Sequence, residues 1–192
     1  VLFRSKDVAR AAFDPMRLPR GVEPGLYETA TYSPDVLTFP NGCHACELEV
    51  DPETGRVEID RYVVVDDVGT VINELTLKGQ VHGGIAQGLG QALLEHMVYD
   101  AESGQLASGS FMDYAMPRAD DMPSFEVKAH AVPTTKNPLG VKGAGEAGTV
   151  GGLPTVMNAV IDALSPLGID HLEMPLTAER VWRAIQSASR KS

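Results

Sequence analysis

Five glycines, Gly79, Gly83, Gly84, Gly88 and Gly90, fall inside a stretch whose apolar residues Val81, Ile85, Leu89, Ala92 and Leu93 recur at helical steps of three and four. Each glycine in a helix interior costs about 1 kcal/mol relative to alanine. Tight packing must compensate. The segment, expected to be helical from about Asn73 to Tyr99, is therefore squeezed against a sheet or a second helix, or allows a ligand to approach its backbone. The two readings are compatible.

A second glycine-rich stretch runs from Pro138 to Pro154 and leads into an apolar helix carrying Met157, Val160, Ile161 and Leu164. It holds one carboxylate, Glu146, and one cation, Lys142, among glycines and alanines. Glycines remove the side-chain wall that keeps a ligand from the backbone, so main-chain N–H groups can converge on an anion. A carboxylate stranded among small residues is a candidate general base. Gly143-Ala-Gly-Glu-Ala-Gly148 also satisfies the G-x-G-x-x-G pattern of dinucleotide sites. That pattern needs a buried strand before it and an acidic residue closing a second strand about 20 residues later. Here a turn-rich lead-in with Pro133 and Pro138 precedes it, and Asp162 lies inside the helical periodicity. A glycine-rich connection that only turns a corner is the plainer alternative.

Around these stretches the pattern mixes strands and helices. Residues 1–40, with Pro15, Pro19, Pro24, Pro34 and Pro40, read as an irregular lead-in, and 41–192 as the folded domain. A hairpin follows: Cys46 to Asp51, a turn at Pro52-Glu-Thr-Gly55, then Arg56 to Val65. Cys43-His-Ala-Cys46 invites zinc or redox readings, but a structural site needs two further ligands and no second cysteine pair exists. Strand alternation sends the two thiols to opposite faces and makes them core cysteines; no metal ligands are assigned. Asp66 and Asp67 read as a solvated turn or a helix-capping pair. Phe125 to Val132 alternates as another strand with His130 outward, and a C-terminal helix places Ala178, Val181, Trp182 and Ile185 on one stripe, with Trp182 a packing anchor.

The chain has 192 residues, 43% hydrophobic and 22% charged, which suits one soluble globular core. Its net charge of -10 argues against nucleic acid, because phosphate binding needs clustered Lys and Arg. No apolar run reaches the length of a membrane span. Cytoplasmic localisation is the default expectation.

Four ordered blocks carry a resemblance: Gly42-Cys-His-Ala-Cys-Glu-Leu-Glu-Val-Asp-Pro-Glu-Thr-Gly55; Asp66-Asp-Val-Gly-Thr-Val-Ile-Asn73 with Gly79-Gln-Val-His-Gly-Gly-Ile-Ala-Gln-Gly-Leu-Gly-Gln91; Asp113-Tyr-Ala-Met-Pro-Arg-Ala-Asp-Asp-Met-Pro123; and Lys142-Gly-Ala-Gly-Glu146. Together they resemble the C-terminal part of the molybdenum-binding subunit of the xanthine dehydrogenase and aldehyde oxidase family, closest in style to the carbon monoxide dehydrogenase large-subunit branch. The resemblance runs from roughly residue 20 to the end. Since that subunit is several times longer and this chain lacks an initiator methionine, the chain is expected to be a C-terminal piece, inactive alone, whose missing N-terminal part packs against it.

The resemblance implies an α+β fold with mixed sheets and packed glycine-rich helices, binding molybdopterin, in its cytosine dinucleotide form, with molybdenum. Iron–sulfur clusters and FAD are implied on partner subunits of an oligomer. The implied reaction is oxidation of a carbon centre in a small molecule with water as the oxygen source: hydroxylation of an aldehyde, N-heterocycle or similar carbon, or oxidation of carbon monoxide. Position by position, Glu146 matches the family's general base, and Gln80 the glutamine beside the metal's ligands. Lys142, Gly143 and Gly145 would hold the cofactor edge, with Lys142 either holding a negative ligand or orienting the loop. His82 and Gln87 read as packing or polar-network residues. Two other classes compete: a non-catalytic scaffold, in which Glu146 faces bulk solvent or pairs with Lys142, and a dinucleotide-binding oxidoreductase.

Overall fold

The computed structural model describes residues 4–190, and the chain divides into two compact units, Val1–Asp35 and Val36–Ser192. In the first, helix α1 (Ser5–Ala12) departs from the expected irregular lead-in. Its sequence explains it: the prolines begin only at Pro15, and Asp7 in the first turn and Arg10 in the last complement the helix dipole.

The second unit is an α+β fold: a three-stranded mixed sheet covered on one face by two glycine-bearing helices. Strands β1 (Asn41–Val50) and β2 (Val57–Asp67) form the expected antiparallel hairpin, and β3 (Phe125–Ala129) joins β2 in parallel, so the order is β1-β2-β3. The turn is held by Asp51, whose carboxylate accepts from Glu53 N and Thr54 Oγ1. One irregularity sets what faces the core. Glu47 pairs with Arg61 but Leu48 pairs with Ile59, leaving Asp60 as an extra residue in β2. A bulge of this kind shifts the side-chain phase by one. Ile59 is buried before it, and Tyr62, Val64 and Asp66 after it. The opposite face is polar, with Arg61 Nε donating to Glu126 Oε1 at 2.7 Å across neighbouring strands.

Helix α2 (Glu74–Leu89) is capped by Asn73, whose side chain accepts from Thr76 N, and passes into a wider turn over Gly90–Leu94. It ends there, short of the expected Tyr99. The next residues pair elsewhere: Val98 N donates to Ser108 Oγ, and Ala107 N to Val98 O. Helix α3 (Ala147–Leu164) buries Gly148, Gly152, Val156, Val160 and Leu164, one row at four-residue steps. That row meets Val81, Gly84, Ile85, Gly88 and Leu89 of α2. Backbone lies on backbone: a Cβ on Gly148 would sit 2.5 Å from Val81 O, and one on Gly88 2.8 Å from Leu153 N. This contact compensates the helical cost of the glycines on that face. Gly79 and Gly83 face open space instead.

Helix α4 (Ala178–Ser189) starts at Thr177, which caps Arg180 N, and buries Val181 and Ile185. Trp182 remains 40% exposed and is not the packing anchor its place on that stripe implied. Strand β3 stops three residues before the expected Val132, because Asp67 Oδ1 accepts Val132 N and pulls the chain out of the ladder. His130 is exposed, as its register implied. Both cysteines lie in β1 on opposite faces, but only Cys46 is part-buried; Cys43 is exposed, so the pair is not a core pair. The dinucleotide reading fails on topology. Gly143–Gly148 follows coil, with only an isolated bridge at Val141, and no strand leads into it. No helix among the described residues is long and apolar enough to cross a membrane.

Candidate functional site

Two structures position the glycine-rich loop. At its start, Lys142 N donates to Val68 O at 2.9 Å and Thr70 N to Gly140 O at 2.9 Å, so the segment is stitched to the end of β2. Asn137 brackets Val141, donating from Nδ2 to its carbonyl and accepting its N–H. The Lys142 ammonium donates to Asp67 Oδ2 at 2.5 Å, with both side chains largely buried. Lys142 therefore orients the loop, and its charge is directed inward at Asp67 and not at Glu146. Asp67 also accepts from Gly69 N and Val132 N; the Lys142 hydrogen bond, then these amides, pull its carboxyl down to about 2.

At the far end of the loop, Glu146 is the N-cap residue of α3, with its backbone in the helical region and no side-chain cap bond. It is exposed, as are Gln80, Gly143 and Gly145. The 18-residue helix behind it thus presents its first-turn N–H groups without a capping side chain, a favourable place for an anion. Gln80 and the loop come together: Gln80 Oε1 lies 3.8 Å from where a Cβ on Gly145 would stand, one residue from Glu146. A Cβ on Gly143 would meet nothing within 4 Å. Of the neighbouring polar residues, Gln87 Oε1 accepts from Thr149 Oγ1 at 3.2 Å, tying α2 to α3, and His82 is exposed with its ring edge-on to Phe125.

Glu146 lines a cavity of about 320 Å³ together with Phe39, Pro40, His44, Asp66 and Val150. Gln80 is not part of that lining. The acidic pair at the end of β2 is neither a solvated turn nor a helix cap, because the bulge turns Asp66 inward and Lys142 holds Asp67. Asp66 is 4% exposed, with Oδ1 3.4 Å from His44 Nε2. His44 Nδ1 lies 2.8 Å from Tyr62 Oη. Burial raises the Tyr62 phenol far above its ordinary range, so the Tyr62 O–H keeps its proton beside His44. Two glycines make room for the group: a Cβ on Gly42 would overlap Asp66 Oδ1, and one on Gly151 would fall 2.5 Å from the His44 ring. Reading the sequence missed this trio. Its only sequence signal is the glycine opposite the acid, which has meaning only once the β1–β2 register is known.

A surface walled by glycines beside an uncapped helix N-terminus is a setting suited to an anionic group. Comparison with known proteins agrees. The family model described as molybdopterin cofactor-binding domain matches residues 3–123, and the chain belongs to that family. It is 42% identical over 179 residues to the nicotine 6-hydroxylase large subunit of Paenarthrobacter nicotinovorans, covering 93% of this chain and 22% of that one. It is 38% identical over 168 residues to the carbon monoxide dehydrogenase large chain of Hydrogenophaga pseudoflava, covering 88% of this chain and 21% of that one. The structure of reconstituted carbon monoxide dehydrogenase from Oligotropha carboxidovorans superposes with a TM-score of 0.84 at 35% identity, over 97% of this chain and 23% of that one. The chain spans about a fifth of the length of these relatives. It is homologous to molybdenum-containing oxidoreductases of the xanthine dehydrogenase family.

Proposed function

We propose that this chain supplies the general base and one wall of the cofactor site in a molybdenum hydroxylase, with Glu146 as the base. The observation that carries the reading is the position of Glu146, at the uncapped start of α3 and next to Gly145, whose absent Cβ would stand 3.8 Å from Gln80 Oε1. The residues fit molybdopterin. Gly79, Gly83 and Gly143 leave open space where side chains would block approach, and the Gln80 amide and the α3 N-terminus offer donors to an anionic group. Gln80 and the main chain of Gly143 and Gly145 would hold the cofactor edge, while Lys142 orients the loop through Asp67. When bound, the molybdenum centre supplies the two-electron oxidation of the substrate carbon. The work of Glu146 is to accept the proton that water loses as its oxygen is transferred, and its helix-start position holds the carboxylate ready for that.

The substrate class is a small electron-poor carbon compound, an aldehyde or an N-heterocycle, with carbon monoxide a further member. The cytosine dinucleotide form of the cofactor, iron–sulfur and FAD partners, an oligomeric assembly and a cytoplasmic location complete the proposal, as does a folded domain from residue 41 onward. The scaffold reading also has Glu146 exposed, but its alternative, a closed pair with Lys142, is excluded by the Lys142–Asp67 bond. In the complete enzyme, Glu146→Gln should leave molybdenum content intact and lower kcat by roughly 100-fold or more. Undiminished turnover would remove the assignment and leave the scaffold.

A further inference from the structure

Asp66 stands between two cavities. One is the cavity of Glu146 and His44. The other, about 330 Å³, lies where Glu74 and Lys78 of α2 face Val127, Lys128 and Ala129 at the end of β3. Asp66 is the residue their linings share. Its side chain is 6% exposed, and Oδ2 has no hydrogen-bond partner among the described residues. A buried carboxylate oxygen left without a donor is costly, and groups kept that way are often ones that must change partner or protonation during function.

We propose that Asp66 is the proton outlet of the Glu146 cavity, accepting on Oδ2 the proton that Glu146 gives up and releasing it on the β3 side. The inference rests on the reading of Glu146 as the base. A base that takes a proton in every turnover must lose it before the next. The Glu146 carboxylic acid returns to carboxylate as Asp66 becomes the acid; Asp66 then returns to carboxylate by losing the proton to water or to Glu74 in the second cavity. No electrons move in either step. Each cavity has room for several waters at about 30 Å³ apiece. His44 Nε2 lies 3.4 Å from Oδ1, and Oδ2, without a hydrogen-bond partner among the described residues, is the oxygen that takes up the proton.

In the complete enzyme, Asp66→Asn keeps an acceptor for His44 and cannot carry a proton. The rate of a single turnover should be unchanged, while steady-state kcat falls roughly tenfold or more at constant KM, and added imidazole restores it in proportion to concentration. A second readout is independent of turnover: acid titration of the cofactor-free protein, followed by infrared difference spectroscopy, should show a buried carboxylic-acid C=O band that shifts in D2O and is absent from Asp66→Asn. If that variant does not fold, Ala129→Leu, which fills the second cavity, should give the same imidazole-rescued loss with Asp66 in place. Equal slowing of single and multiple turnovers, absence of rescue, or no such band would each overturn the outlet. Full activity of Glu146→Gln would instead sink the base reading, and the infrared band would then still report whether Asp66 takes up a proton.

Discussion

Lys142 Nζ donates to Asp67 Oδ2 at 2.5 Å across 75 residues of sequence, fastening the start of the glycine-rich loop to the end of β2. The bond gives a fixed origin to a loop made largely of glycine and alanine. Because the Asp67 pKa is held at about 2, below the unfolded carboxyl value of about 4, its contribution to stability is complete above that unfolded value. It is lost as pH falls toward and through 2. Thermal melts between pH 6 and 2 should therefore show a steeper acid loss in the wild type than in Asp67→Asn, and parallel curves would contradict the assignment.

The helical glycines divide into two groups with opposite expected behaviour. Gly84→Ala puts a Cβ 2.8 Å from Thr149 N, and Gly148→Ala puts one 2.5 Å from Val81 O, both against backbone that cannot yield. Each should destabilise by about 1–3 kcal/mol as α2 and α3 are forced apart. Gly83→Ala meets nothing within 4 Å and should stabilise the cofactor-free protein by up to about 1 kcal/mol through helix propensity. Urea unfolding of the three variants checks the sign at each position.

Tyr62→Phe removes the hydroxyl paired with His44 Nδ1 and leaves a buried ring nitrogen without its partner. A cost of about 1–3 kcal/mol is expected. Tyr99→Phe, at an exposed tyrosine, is the control and should be neutral in the same denaturant titration.

The two thiols should differ sharply in reactivity. Burial pushes Cys46 up to about 11, whereas Cys43 is exposed. Iodoacetamide at neutral pH, followed by peptide mass mapping, should label Cys43 and spare Cys46. Equal labelling would mean that β1 does not keep this face buried.

Much of the fold was legible because its signals are local. The glycines of α2 announced a close contact and the Pro52-Glu-Thr-Gly55 turn fixed the hairpin, while the apolar periodicity of α3 placed Val160 and Leu164 in its buried face but Met157 and Ile161 at its edge, where Val156 is the buried residue. The errors also have physical causes. The helix from Asn73 was carried too far because the residues after Leu94 leave it for hydrogen bonds with Ser108 and Ala107, partners that helical periodicity does not encode. Trp182 shares a stripe with Val181 and Ile185 in the sequence, yet α4 turns only those two inward. Asp66 and Asp67 were read as solvated because adjacent acids usually are, and the residues that change this, His44 and Lys142, lie far along the chain.

Residue order alone determined which segments could be helix or strand, that two glycine-bearing helices had to meet something closely, and that one carboxylate sat in a loop with little to neutralise it. Those properties depend on backbone freedom and on spacing within a few residues. Only the tertiary structure decided that Asp66 faces inward, that Lys142 turns to Asp67, and that His44 joins the cavity of Glu146. Each depends on a single extra residue in β2 and on contacts between distant segments, and a one-residue shift in strand phase exchanges the buried face for the exposed one without changing any local pattern.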